Sequence, residues 1–229
     1  MLCVQSLARE LPGGAGRIMI CVRGNYGSCA DNTSRHRLSG RPGCSNVRLK
    51  DEQFFRLCSD NSDLRIEMSA AGELIIMAPC KPMTGRRNAK IAQRLSNWAE
   101  ADGTGECFDS SSLFSLPNGA KRSPDASWIL RGRWEQIPEA ARNQAERFEE
   151  ICPDFVIELR SLSDRLPDLK EKMEEYIANG ARLGWLLDSI DNFAIIYRPG
   201  QLPERIDKPT ILAGDSVLPG FNFDFREVL

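Results

Sequence analysis

From Asn46 onward, strand-like and helix-like stretches follow one another in a mixed order, and that order limits the available folds more than any other feature of the chain. "DEQFFRLCSD" has the spacing of a short helix. "LRIEMS" and "ELIIMA", separated by Ala-Ala-Gly, predict a β-hairpin. "TGRRNAKIAQRLSNWAEA" predicts a long helix with Thr84 as N-cap and Ile91, Leu95 and Trp98 on one face. "ECFDSSSLFSL" offers one or two short strands, "PDASWIL" another, and "PEAARNQAERF" a polar connecting helix. "DFVIEL" is a strand, "LPDLKEKMEEYIANG" a helix ended by Gly180, and "LGWLLDSIDNFAIIYRPG" two strands joined across Asp191 and Asn192. The tail from Ile206 to Leu229 predicts one more strand and a closing turn of helix. Such an order implies an α/β or α+β architecture, a central mixed sheet flanked by helices.

Residues 1–45 stand apart. They hold six arginines against Glu10 and Asp31, about +4, while the rest of the chain carries about −6, which gives the net −2. Without a sustained apolar period, the segment is expected to be a poorly ordered basic extension, followed by one domain over 46–229. The 229 residues, 41% hydrophobic, can bury a full core, and the longest apolar runs are too short to span a bilayer. A cytoplasmic protein with no membrane partner is the expectation.

Composition also narrows the chemistry. Eight cysteines occur without a CxxC pair or neighbouring histidines, which argues against a zinc site and against a secreted disulfide framework. The single histidine, His36, lies in a polar Gly/Ser/Arg stretch, so a mechanism built on a histidine base is disfavoured. Carboxylates, lysines or a metal must carry any reaction.

The strand "DFVIEL" places a carboxylate, Glu158, in an otherwise apolar run, on the same side as Val156 and Arg160. A buried carboxylate needs a cation, a hydrogen-bond network or water. A simple Glu/Arg pair on a half-exposed strand would satisfy it. Asp125, after Pro124 at the start of "DASWIL", is equally compatible with a plain turn. If the two strands are neighbours, however, the acids converge, and at about 4 Å they would repel by roughly 4 kcal/mol at an effective dielectric of 20. A divalent ion removes that repulsion, and Mg²⁺ takes one or two carboxylates together with waters and phosphate oxygens. Lys172 borders the buried stripe of its helix and can either snorkel outward or reach a phosphate. Arg86, Lys90 and Arg94 recur every fourth residue beside Arg87, a stripe suited either to a phosphate backbone or to plain solvation.

The blocks "LRIEMSAAGELIIMAP", "TGRRNAKIAQRLSNWA", "FSLPNGAKRSPDASWI", "CPDFVIELRSLSD" and "LKEKMEEYIANGARLGWLLD" resemble the Uma-type restriction endonucleases, a bacterial group with the PD-(D/E)XK nuclease fold. The resemblance implies that Asp125 is the acid of the Pro-Asp motif and Glu158 the acid of the next core strand. It further implies that Lys172 stands in for the usual strand lysine and that Glu67 completes the metal site. Where that strand lysine is usual, this chain has Arg160, which can clamp phosphate but cannot act as a base. Asn88 occupies a position where a histidine is common.

The expectation is a Mg²⁺- or Mn²⁺-dependent endonuclease acting on DNA. Asp125, Glu158 and the carbonyl of Leu159 would hold the metal, Lys172 would orient water, and Arg160 with Arg86, Arg87, Lys90 and Arg94 would position the backbone. A homodimer is expected on the ground that two strands must be cut. The alternatives are a silent nuclease fold that binds DNA or a partner, and an interaction domain with ordinary ion pairs.

Overall fold

A computed structural model of the chain describes residues 2–4, 49–77, 80–139, 142 and 150–229. Its elements, in order, are β1 (Leu2–Val4), α1 (Asp51–Asp60), β2 (Arg65–Met68), β3 (Leu74–Met77), α2 (Pro82–Asp102), β4 (Gly105–Asp109), β5 (Phe114–Ser115), β6 (Lys121–Arg122), β7 (Ala126–Leu130) and α3 (Arg131–Trp134). There follow β8 (Phe155–Leu159), α4 (Leu166–Ala178), β9 (Leu183–Asp188), β10 (Phe193–Tyr197), β11 (Glu204–Asp207), β12 (Ile211–Ala213), β13 (Asn222–Asp224) and a 3₁₀ turn, Phe225–Val228. The expected basic extension and the polar helix "PEAARNQAERF" fall largely outside the described residues.

The architecture is mixed α/β, with sheets flanked by helices. A six-stranded sheet runs β11-β10-β9-β8-β7-β4. Strand β8 is its pivot, antiparallel to β7 and parallel to β9. A parallel neighbour requires a crossover, and α4 supplies it. That arrangement covers both faces of β8, so all five of its residues are buried, Glu158 among them. The alternative of a half-exposed strand with a simple Glu/Arg pair is therefore overturned, since β8 is fully covered.

Each face of the sheet has its own apolar layer. On one side Phe155, Ile157 and Leu159 pack with Ile91 and Leu95 of α2 and with Phe221, Phe223 and Phe225 of the C-terminal segment. On the other, Val156 and Leu186 pack with Met173 and Tyr176 of α4. Burying side chains of this kind contributes about 1.5–3 kcal/mol apiece before conformational entropy is set against it. A second sheet, β1-β3-β2-β6-β5, carries α1 through Phe54, Phe55, Leu57, Ile66, Met68 and Leu74.

Two expectations need correction. Helix α2 begins at Pro82, with Lys81 in extended conformation as its N-cap, so Thr84 lies inside the first turn. Proline suits that first position because its fixed φ is helical and its missing N–H would have been unpaired there. The tail also forms three strands where one was expected. β11 borders the large sheet, and β12 and β13 make a ladder of their own. At the border, β11 exposes Glu204, Arg205 and Asp207.

Candidate active site

The site lies at the carboxyl end of β8. Because β7 runs antiparallel to β8, the start of β7 comes to the same end, and Asp125 precedes it. The Asp125 amide donates to the Ile157 carbonyl at 3.0 Å. Its carboxylate turns back across the strands, and Oδ2 accepts from the Leu159 amide at 2.9 Å. Oδ1 accepts from the Asn88 side-chain amide of α2, also at 2.9 Å. The two acids read from the sequence, 33 positions apart, thus occupy adjoining strands.

Lys172 arrives from α4. Its ammonium lies 2.8 Å from Glu158 Oε1 and 2.9 Å from Glu67 Oε1. Glu158 Oε1 also accepts from the Tyr176 hydroxyl at 3.1 Å, while its Oε2 has no hydrogen-bond donor among the described residues. Glu67 comes from the other sheet, and both of its oxygens are engaged. Oε1 accepts from the Ser123 amide at 2.9 Å as well as from Lys172, and Oε2 faces Arg122 Nη1 at 3.2 Å. Arg122 in turn holds Glu175 of α4 at 2.5 Å.

Burial and charge act on each group in opposite senses. For Glu158 burial dominates, assisted by the nearby Asp125 and Glu67 charges, and its carboxyl is pushed up to about 7 despite Lys172. Asp125 is raised by burial, which outweighs the Leu159 amide and the Arg65 and Lys172 charges. Burial disfavours charge on Glu67 too, but Lys172 and Arg122 prevail and hold it below the ordinary carboxylate range. Burial likewise opposes the Lys172 ammonium, yet Glu158 and Glu67 raise it above the usual lysine value. Lys172 is therefore a cation at neutral pH, able to donate but not to abstract a proton.

Does this donor set suit a divalent ion? Among the described residues no three His, Cys, Asp or Glu side chains form a cage by themselves. Mg²⁺ does not require one, since it keeps several waters and uses one or two carboxylates. Asp125, Glu158, Glu67 and Glu175 set four acids against the cations Lys172, Arg122 and Arg65. One unoccupied oxygen on Glu158, the Asp125 carboxylate beside it and this acidic excess fit a hydrated hard cation. Asp125 and Glu67 both have their oxygens engaged, but Asp125 accepts from neutral amides whereas Glu67 is paired with two cations, Lys172 and Arg122, and so fits the part of holding Lys172 better than that of a ligand.

The remaining candidates are dispersed. Arg160 Nη1 pairs with Asp188 at 2.6 Å and with Asp191 at 2.8 Å, in the turn between β9 and β10, with no ion pair to the cluster. On α2, Arg94 is gripped by Glu227 through both Nε and Nη2, and Lys90 donates to Gln93 at 3.1 Å. Arg87 is half-buried, and Arg86 is exposed. Sequence reasoning missed Arg65, Arg122 and the hydrogen bond of Tyr176. Two of these carried a signal. Arg65 is two residues before Glu67, hence on its face of β2, and Tyr176 is one helical turn after Lys172.

A cleft of about 540 Å³ opens beside Asp125, lined among others by Arg65 and Met77 of the hairpin, Gly85 and Asn88 of α2, and Asp109. With this geometry in hand, comparison with known families is informative. Residues 51–226 match the model of the Uma2 family, described as "Putative restriction endonuclease". The chain belongs to the Uma2 family. Its fold is that of a solved relative from Anabaena variabilis ATCC 29413, a "putative nuclease belonging to DUF820". The two share 17% identity at a TM-score of 0.66, over 79% of this Uma2 chain and 97% of the other. A DrdV–DNA complex overlaps far less, with 19% identity and a TM-score of 0.33 over 54% of this chain and 10% of that one. No curated protein matches.

Proposed function

We propose that this Uma2 protein is a Mg²⁺-dependent endonuclease that hydrolyses phosphodiester bonds of DNA. The observation that carries the reading is the meeting of Asp125 and Glu158 at one end of the sheet, with the Lys172 ammonium 2.8 Å from Glu158. Asp125 and Glu158, with the Leu159 carbonyl, would hold the ion. When bound, the ion lowers the pKa of water and polarises a phosphoryl oxygen.

The chain's own groups do the rest. Leu159 and Asn88 fix the Asp125 carboxylate from two sides. Glu67 and Tyr176 keep the Lys172–Glu158 pair in place, each from a different element. Lys172 offers a preset positive charge to the phosphate as negative charge grows on its oxygens. Water's oxygen forms the new bond to phosphorus and the ester P–O bond breaks, one water proton ending on the departing alkoxide and the other on the new phosphate monoester, which gives it up to solvent.

Family membership and fold support the nuclease reading. Plasmid nicking in Mg²⁺ tests it, with an EDTA control and with Asp125→Asn and Glu158→Gln. Cutting by the wild type alone is expected, and equal nicking by all three proteins would remove the assignment. A second reading, a nuclease fold that binds DNA without cutting, is favoured by the double engagement of Lys172 with Glu67 and Glu158. Its signature is DNA binding without nicking in either Mg²⁺ or Mn²⁺.

A further inference from the structure

We infer that Arg65 is the phosphate-contacting residue of this site, and that the cleft between α2 and the β2–β3 hairpin receives the sugar–phosphate backbone next to the bond to be cut. The inference rests on the nuclease reading for its substrate, but its evidence is separate.

Arg65 opens β2 in register with Met77 and shares its strand face with Glu67. Only one of its nitrogens is firmly spent. Nη2 donates to the Ser123 carbonyl at 3.2 Å, which ties the guanidinium to the segment leading into Asp125. Nη1 lies 3.8 Å from Asp125 Oδ1, close enough for attraction but too far for a hydrogen bond. Nε is buried and has no acceptor among the described residues. Arg87 and Arg160 also have a buried Nε without an acceptor, so what sets Arg65 apart is its Nη1 beside Asp125 and its place in the cleft.

The geometry selects the acceptor. With Nε enclosed and Nη2 tied to the Ser123 carbonyl, Nη1 is the donor left over, and its charged N–H groups suit one oxygen of a phosphate. The side chain remains 38% exposed and lines the cleft, so a ligand can reach it. Asp63, Asp109 and Asp125 line the same cleft and would repel a multiply charged free anion. A phosphodiester carries a single charge and brings a sugar and base to fill the remaining volume. The cleft, at about 540 Å³, is within the usual range for ligand sites.

Arg65 thereby takes the role that sequence reasoning gave to Arg160, whose Nη1 is held by Asp188 and Asp191. It is anchored on a strand beside the acids, whereas the arginines of α2 lie along a helix surface.

The test is fluorescence anisotropy of a labelled 12-base-pair DNA duplex in Ca²⁺, across a salt series, with wild type, Arg65→Gln and Arg65→Lys. Loss of one phosphate contact should weaken Arg65→Gln about tenfold and flatten the slope of log affinity against log salt by about 0.9. Arg65→Lys, which restores the charge but not the anchor to the Ser123 carbonyl, should recover the slope but not the full affinity. Unchanged affinity and slope in Arg65→Gln, full recovery by lysine, or no binding by the wild type would each overturn the inference. Nicking assays separate the two readings. Arg65-dependent binding without cleavage removes the nuclease and keeps the contact, and cleavage with an indifferent Arg65 does the reverse.

Discussion

Glu67 and Lys172 are 105 positions apart and belong to different sheets' territory, yet their carboxylate and ammonium lie 2.9 Å apart with both groups buried. The same ammonium meets Glu158, so one cation bridges two acids from two strands.

Lys172→Met should therefore be among the more costly single changes at the site. Removing one partner of a buried pair typically costs about 3–5 kcal/mol, because the remaining charge has no compensation. Urea denaturation at pH 8 should show that loss. The deficit relative to wild type should shrink as the solution is acidified, since the orphaned Glu158 can then take up a proton while Glu67 keeps Arg122. A loss below about 1 kcal/mol at pH 8 would contradict the burial of the pair.

Metal affinity should rise with pH through neutrality. A Glu158 carboxyl pushed up to about 7 competes with the ion for its charge, so Mn²⁺ titration calorimetry should give roughly tenfold weaker apparent binding for each unit below that value. Binding there should release a proton, seen as a buffer-dependent heat. Glu158→Gln should bind weakly and lose the pH dependence. The sign for folding is opposite. The raised carboxyl holds its proton more tightly folded than unfolded, so its contribution to stability is full at acid pH and declines as pH rises from about 4.5 to about 7.

Arg160→Ala should damage folding rather than DNA binding. Asp188 is completely buried, and its Oδ2 is met by Arg160 while Oδ1 accepts from the Ile190 and Asp191 amides of the turn. Losing a hydrogen bond to a buried charge costs about 1.5–3 kcal/mol. A lowered thermal midpoint with an unchanged salt slope for DNA is expected. A flattened slope would instead return Arg160 to the phosphate.

Two glycines of the large sheet should respond unequally to alanine. At Gly105 an added Cβ would lie 2.3 Å from the Ile129 carbonyl oxygen and as close to the Trp128 ring, neither of which can withdraw. At Gly184 the nearest atom, at 2.5 Å, is the terminal methyl of Met173, which can swing aside. Overpacking of this kind costs about 1–3 kcal/mol, with Gly105→Ala at or above the top of that range and Gly184→Ala near the bottom. Paired denaturation curves check the ranking.

The parts of this molecule legible in the sequence were those with a long or clean period. The run "FVIEL" and the stripe Leu169, Met173, Tyr176 sit where the pattern puts them, in β8 and α4. Strands β5 and β6 have two residues each, too few to show alternation, so the separation of the β1-β3-β2-β6-β5 sheet from the large one was not readable. Asp125 and Glu158 stood out as acids beside apolar strands. Glu67 entered the site only by resemblance, and Lys172 was legible only as a border lysine that could reach a phosphate, since nothing local reveals that β2 and α4 converge. Arg122 was obscured for the same reason, because its partners Glu67 and Glu175 lie 55 and 53 residues away.

The charged border strand β11 bears on assembly. Arg205 stacks on the Phe193 ring at 3.6 Å, and Arg198 of the adjoining turn binds both Glu204 and Asp215. Extending the sheet from that side would force another chain's backbone against Glu204, Arg205 and Asp207, the device by which natural sheets resist fibre growth. A second copy of this chain would find no welcome along that strand, and any pairing through sheet extension is opposed there.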